Sequence, residues 1–137
     1  MRVRRTRGER GSATELVVVF PFVMFLLLLV IQFALWYHAT HVAQSAAQEG
    51  ARVARMAVAA GQPVDSQQQL TAGKDRAWEF LNGMGAFDDK GVTGTRDRDT
   101  AGITVTGTAP SLVPGFTLTI SEHSEGPVER FRARNEP

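Results

Sequence analysis

The sequence predicts an α+β protein in which one long N-terminal helix crosses a membrane, continues beyond it, and packs with a second short helix and a small antiparallel sheet. Three observations carry that expectation. A basic head precedes an apolar run from Leu16 to Tyr37, an alanine-rich stretch then extends the run without a break, and two period-two segments follow toward the C-terminus. The chain has 137 residues and no cysteine. That length allows one small domain and an appendage, and the missing thiols exclude a disulfide framework and a thiolate metal site.

Charge is unevenly placed. In residues 1–10 five arginines oppose Glu9 alone, leaving +4; Glu15 follows, and no further Asp, Glu, Lys or Arg occurs before Glu49. The remainder is slightly acidic, with 10 basic and 12 acidic residues from position 37 onward. A formal net charge of +1 argues against a nucleic-acid partner, which calls for a strongly basic face.

The run Leu16–Tyr37 is interrupted only by Pro21 and Gln32. At about 1.5 Å per residue it extends roughly 33 Å, enough for a hydrocarbon core of about 30 Å. A cleaved secretory signal has a shorter apolar core, of about 7–15 residues. The arginines before the run place the N-terminus in the cytoplasm and the C-terminal part outside, and Trp36 and Tyr37 fall where an interfacial aromatic belt lies. Leu16, Phe20, Leu27, Ile31 and Trp36 are the expected membrane anchors. Pro21 withholds one helical hydrogen bond and is expected to kink or locally melt the helix. Gln32 is expected to bond to a neighbouring helix or to its own backbone. Glu15 is a carboxylate at the membrane edge, favoured there by the helix macrodipole or by a cationic partner, such as a neighbouring subunit's free N-terminus.

From His38 to Ala60 there is no proline and one glycine, Gly50. Ala43, Ala46, Ala47, Gly50, Ala51, Ala54, Ala57 and Val58 fall at steps of three and four, drawing a stripe of small residues along one helix face. Gln44, Gln48, Arg52 and Arg55 form the opposite face. A single helix from about Ala13 to Ala60 is roughly 72 Å long, with Gly61 and Pro63 as stop signals. The outer part of the stripe is expected to pack on the chain's own body and the inner part of the helix on other molecules. The organisation expected is a basic leader at 1–11, a long helix at 12–60 with its membrane segment at about 16–37, and a small extracytoplasmic α+β domain at 61–137.

Within that domain, Ser66 and Gln69 form a capping-box pattern. Leu70, Ala77, Trp78, Leu81 and Met84 mark the apolar face of a second helix. Asp88–Thr100 reads as a loop with a short strand at Val92–Thr95. Ile103, Val105 and Gly107 alternate with threonines, as do Phe116, Leu118 and Ile120 with Thr117, Thr119 and Ser121, giving two antiparallel strands joined by Pro110–Gly115. Val128 and Phe131 read as a final edge element. The acidic clusters at Asp88-Asp89 and Asp97–Asp99 lack the ligand series of a calcium loop. His38 and His41 share a helix face without a third ligand, and His123 stands apart from both. No nucleophile, phosphate loop or paired-carboxylate pocket emerges, so neither an enzyme, a cofactor, a metal nor a small-molecule substrate is expected.

The string Arg10-Gly11-Ser12-Ala13-Thr14-Glu15-Leu16, an apolar run containing Phe20-Pro21, and then Ala46-Ala47-Gln48-Glu49-Gly50-Ala51-Arg52-Val53-Ala54 resembles the TadE-like family, the minor-pilin-like proteins of tight-adherence (Flp-type, type IVb) pilus systems. The resemblance covers about residues 10–55; Gly126–Phe131 adds a weaker one. It implies a pilin-like fold and a single-pass envelope protein whose partners are the membrane, other pilin subunits and the pilus assembly proteins. It also implies a prepilin peptidase cutting after Gly11, so that Ser12 begins the mature chain and Glu15 sets register during assembly. Family members place that acid fifth after the cut; here it is fourth. A different class of function, a permanently anchored adaptor whose exported domain recruits an envelope partner, keeps the leader and tolerates loss of Glu15.

Overall fold

The computed structural model describes residues 9–56, 66–85 and 87–129, with side chains from residue 14 onward. The chain is α+β and pilin-like: a long helix, a second helix and one three-stranded antiparallel sheet. Helix α1 spans Glu9–Arg55, 47 residues or about 70 Å. It starts three residues before the expected position 12, because Gly11 costs a helix only about 1 kcal/mol relative to alanine. It passes through Pro21 as continuous α-helix, without the local melting that the proline allows.

The end of α1 also differs from expectation, falling at Arg55 and not near Ala60. Tertiary caps hold that end. The terminal carbonyls of a helix need donors from beyond it, and those of Val53, Ala54 and Arg55, with Met56 just past them, each find one. Met56 N–H donates to the Val53 carbonyl (3.2 Å), Arg96 to that of Ala54 (2.8 Å), Glu129 N–H to that of Arg55 (3.1 Å), and Gln69 Nε2 to that of Met56 (2.6 Å). The Arg96 guanidinium also bonds Gln69 Oε1 at 3.1 Å. Gln69 therefore serves α1 and is not the back-bonding half of a capping box with Ser66. Ala57, Val58, Gly61 and Pro63 lie outside the described residues.

Helix α2 spans Ser66–Met84 and runs antiparallel to α1, since Gln69 meets Met56, Gly73 meets Gly50, and Arg76 meets Glu49. The crossing is close. A methyl added at Gly50 would stand 2.7 Å from the Gly73 carbonyl oxygen and 2.9 Å from the Ala77 Cβ. The small-residue stripe exists for this approach: Ala43, Ala46, Ala47, Gly50, Ala51 and Ala54 are all buried against the chain's own body. The inward face of α2 is Gly73, Ala77 and Leu81, with Leu70 and Phe80 at its border. Met84, expected on that face, is exposed, and Trp78 is only half-buried. Met84 is the last residue of α2, and Trp78 stands one step round the helix from the buried Ala77.

Strands β1 (Asp88–Arg96), β2 (Thr100–Ala109) and β3 (Leu118–Pro127) form an antiparallel meander in the order β1-β2-β3. The segment expected as mostly loop is thus mostly strand. Its beginning is disguised by a bulge between Asp88 and Gly91, where Asp89 takes φ 47°. The inner face of β1 carries Val92, Gly94 and Arg96, so no apolar alternation announces it. Gly94 makes room there for Leu70, whose Cδ1 would stand 2.7 Å from an added methyl. In β2, Ala101, Ile103, Val105, Gly107 and Ala109 point inward as the alternation requires. β3 begins at Leu118, leaving Phe116 in the preceding loop, and extends to Pro127. Val128 follows it, its N–H on the Asp99 carbonyl; Phe131 lies outside the described residues.

The two helices form one layer and the sheet the other. α1 rests on β2 and β3, and α2 chiefly on β1. β2 runs antiparallel to α1: Thr100 lies at the Arg55 end, and Pro110 reaches Gln32. The lengths match, because about twenty-three helical steps and about ten strand steps both cover about 34 Å. The body consequently occupies α1 from Gln32 to Arg55, and the preceding half stands clear.

Candidate membrane and assembly segment

Every residue from Leu16 to Ile31 is exposed, between 39% at Ile31 and 72% at Phe22. The apolar stretch has a mean hydropathy of 2.9 and the length to cross a membrane. An unbroken apolar surface on all sides of a helix cannot be a packing stripe for one small body, because only one face of a helix can meet it. Leaving that surface in water forgoes tens of kcal/mol, at about 1.5–3 kcal/mol for each large side chain. The segment requires another apolar medium.

The expected site residues distribute along it as follows. Gly11 and Ser12 lie within the first turns of α1, so a peptidase acting after Gly11 needs that turn to open. Glu15 is exposed, and lines a shallow groove on the helix surface with Leu16, Val19, Phe20 and Val23. Pro21 sits further along, its ring nitrogen unable to serve the Val17 carbonyl. Phe20, Leu27 and Ile31 project outward and are exposed. Trp36 differs from these anchors: it is half-buried, packs against the core of the body and lies 5.5 Å from Phe33 ring to ring. Tyr37 is exposed, with His41 edge-on at 4.3 Å.

Gln32 is the residue whose role sequence reasoning missed. It is 2% exposed within a run otherwise open to its surroundings. Its partner is neither a neighbouring helix nor its own backbone but the β2–β3 loop, 78 to 80 residues away. Nε2 donates to the Pro110 carbonyl (3.3 Å), while Oε1 accepts from Leu112 N–H (2.8 Å) and Ser111 Oγ (3.4 Å). The signal available in the sequence was the residue itself, a lone amide in an apolar run, which demands a partner.

The outer half of α1 is polar on its free face. Arg52 grips Glu49 through two nitrogens (2.8 and 3.1 Å), and Arg76 of α2 reaches the same carboxylate at 3.3 Å and Glu79 at 2.7 Å. The Arg52 hydrogen bond, aided by Arg76, lowers the Glu49 pKa to about 2. Bonds to Glu49 raise Arg52, and bonds to Glu79 and Glu49 raise Arg76. A shallow groove follows this face, lined by Ser45, Gln48, Glu49, Arg52, Arg55, Phe80 and Ser124. His123 is mid-strand, held between Thr104 Oγ1 (2.9 Å) and Glu125 (3.3 Å). Among the described residues, no three His, Cys, Asp or Glu side chains group as metal ligands.

The sequence model of one protein family, TadE-like protein, matches residues 11–52. Residues 11–52 are thus similar to the TadE-like family. The matched segment runs from the first turns of α1 to within one turn of its end, taking in Glu15, Pro21, Gln32 and Gly50. α2 and the sheet lie outside it. No curated protein and no solved structure matches the chain. The TadE-like segment and the exposed apolar helix of membrane-spanning length coincide in this half of the chain, which supports a membrane-anchored, Tad/Flp-pilus-associated protein.

Proposed function

We propose that this TadE-like protein is a minor pilin or pseudopilin, a structural and assembly subunit of a Flp-type (type IVb) pilus or a related secretion apparatus. One observation carries the reading: a single helix seats a small α+β body on its outer half and holds Leu16–Ile31 bare on every side. Such a helix is solvated by lipid before assembly, and by sister helices afterwards, with no refolding of the body. The arginine-rich leader keeps the N-terminus cytoplasmic and the body outside.

Glu15 guides register in this reading. A carboxylate carried into an apolar bundle is strongly unfavourable unless a cation meets it. A neighbour's new α-amino group at Ser12, exposed by peptidase cleavage after Gly11, supplies that cation. Pro21 gives the helix a point of compliance during packing. The other pilin subunits, the assembly proteins and the prepilin peptidase are the partners proposed.

The test pairs processing with assembly. Intact mass after co-expression with the peptidase should show loss of residues 1–11, and Glu15→Ala should abolish crosslinks to other pilins while leaving membrane insertion intact. Retention of the leader together with unaltered crosslinking in Glu15→Ala would instead identify a permanent membrane adaptor.

A further inference from the structure

We infer that the β2–β3 loop, carrying Leu112 and Phe116, is a second membrane contact, seated in the leaflet on the body's side of the bilayer; the inference rests on the membrane-anchored reading of α1. Gln32 fixes the loop's position along the helix through its three hydrogen bonds to Pro110, Ser111 and Leu112. From Glu15, a hydrocarbon core of about 30 Å takes about 20 helical residues, reaching Leu35. Gln32 falls about three residues short of that boundary, so the loop tied to it lies about 4–5 Å beneath the outer edge. Helix tilt places more residues within the same thickness and takes the loop deeper.

The loop is built for that medium. Leu112 is 52% and Phe116 48% exposed, large side chains turned away from the core. The loop is also well defined: Pro114 and Gly115 (φ 79°) form the centre of a tight turn closed by Phe116 N–H on the Val113 carbonyl, and Ser111 Oγ braces Val113. That bonding satisfies the N–H groups of Leu112, Val113 and Phe116 and the carbonyls of Pro110 and Val113.

Charge supports the same placement. No Asp, Glu, Lys or Arg occurs from Thr100 to Ser121, so β2, the loop and the start of β3 are uncharged, alongside a helix uncharged from Leu16 to Gln48. The nearest charges on the sheet, Asp88 and Asp89, begin at the level of Thr108, where headgroups and water would lie. The body's charged turn, Asp97 to Asp99, is at the opposite end near Arg55. An apolar tip below, a polar waist and a charged top are the profile of a body resting on a membrane with its tip in the acyl–headgroup boundary.

Because the chain has no native cysteine, single-cysteine variants of the full-length protein read depth directly. Leu112→Cys, Phe116→Cys, Leu27→Cys and Thr95→Cys, each carrying an environment-sensitive fluorophore, are placed singly in lipid nanodiscs containing nitroxide lipids of shallow or deep label. Leu27 should be quenched most by the deep nitroxide, Leu112 and Phe116 mainly by the shallow one, and Thr95 by neither. Loop positions matching Thr95 while Leu27 is quenched would overturn the loop contact and leave the anchor standing. An unquenched Leu27 would overturn both. Loop shielding seen only in vesicles with several copies, and not in single-copy discs, would assign the patch to a second subunit and equally overturn the proposal.

Discussion

Replacing Gly50 by alanine tests the closest packing in the body. In an exposed helix this change stabilises by about 1 kcal/mol, through propensity alone. Here the new methyl would lie 2.7 Å from the Gly73 carbonyl oxygen, 2.9 Å from the Ala77 Cβ and 3.3 Å from Ile103 Cγ1. The first two of those atoms belong to backbone or to a methyl fixed directly on it, so relief requires α1 and α2 to separate. Overpacking of that kind costs about 1–3 kcal/mol, and separation also loosens the Ala46, Ala54 and Leu81 layer. The net expectation is a loss of about 1 kcal/mol, hence a Tm lower by roughly 4–8 °C for a body of this size. Gly83→Ala is the control, because a methyl there meets nothing within 4 Å, and its Tm should stay level or rise. Thermal melts of both variants in detergent, followed by near-UV dichroism of Trp36 and Trp78, compare them. If Gly50→Ala melts at or above wild type, the crossing is not where the structure puts it.

Three further outcomes are expected. Gln32→Leu strands the Leu112 N–H and the Pro110 carbonyl at about 1–3 kcal/mol; amide exchange should accelerate across Ser111–Phe116 while the membrane fraction is unchanged, and unaltered exchange would discard the clamp. Arg96→Met removes the donor at the Ala54 carbonyl and should weaken the end of α1 by about 1 kcal/mol, seen as faster exchange at residues 53–56 and absent from a Lys90→Met control, whose side chain meets Asn82 instead. Glu49 has a folded pKa of about 2 against an ordinary 4.5, so its contribution is present above pH 4.5 and lost as pH falls toward 2. Tm should therefore decline through that window less steeply in Glu49→Gln than in wild type, and parallel curves would remove the Arg52–Glu49–Arg76 cluster from the stability of the body.

Much of this architecture is written in local pattern. The all-round apolarity of Leu16–Ile31, the alanine stripe and the Ile103–Val105 alternation each report one element facing one environment, and the structure bears out the fold class they imply. Features decided by a distant partner were not legible. α1 ends at Arg55 because Gln69, Arg96 and Glu129 satisfy its carbonyls, and those residues lie far along the chain from their acceptors. β1 was hidden because its inner face is Val92, Gly94 and Arg96, a pattern made by the close approach of Leu70 and by the reach of Arg96 to α1. Gln32 was visible as an anomaly, but its loop partner follows only from the antiparallel run of β2 along the helix. The candidate segment was legible for the same reason the fold was: Glu15, Pro21 and the apolar run are contiguous in sequence.

Alkaline extraction of membranes followed by sedimentation in the absence of detergent bears most directly on the bare helix. The full-length chain should stay with the lipid pellet, and once stripped of lipid or detergent it should sediment only as aggregate or ordered assembly. A monodisperse water-soluble monomer, with amides 16–31 protected by its own body, would contradict a helix that needs lipid or sister helices around it.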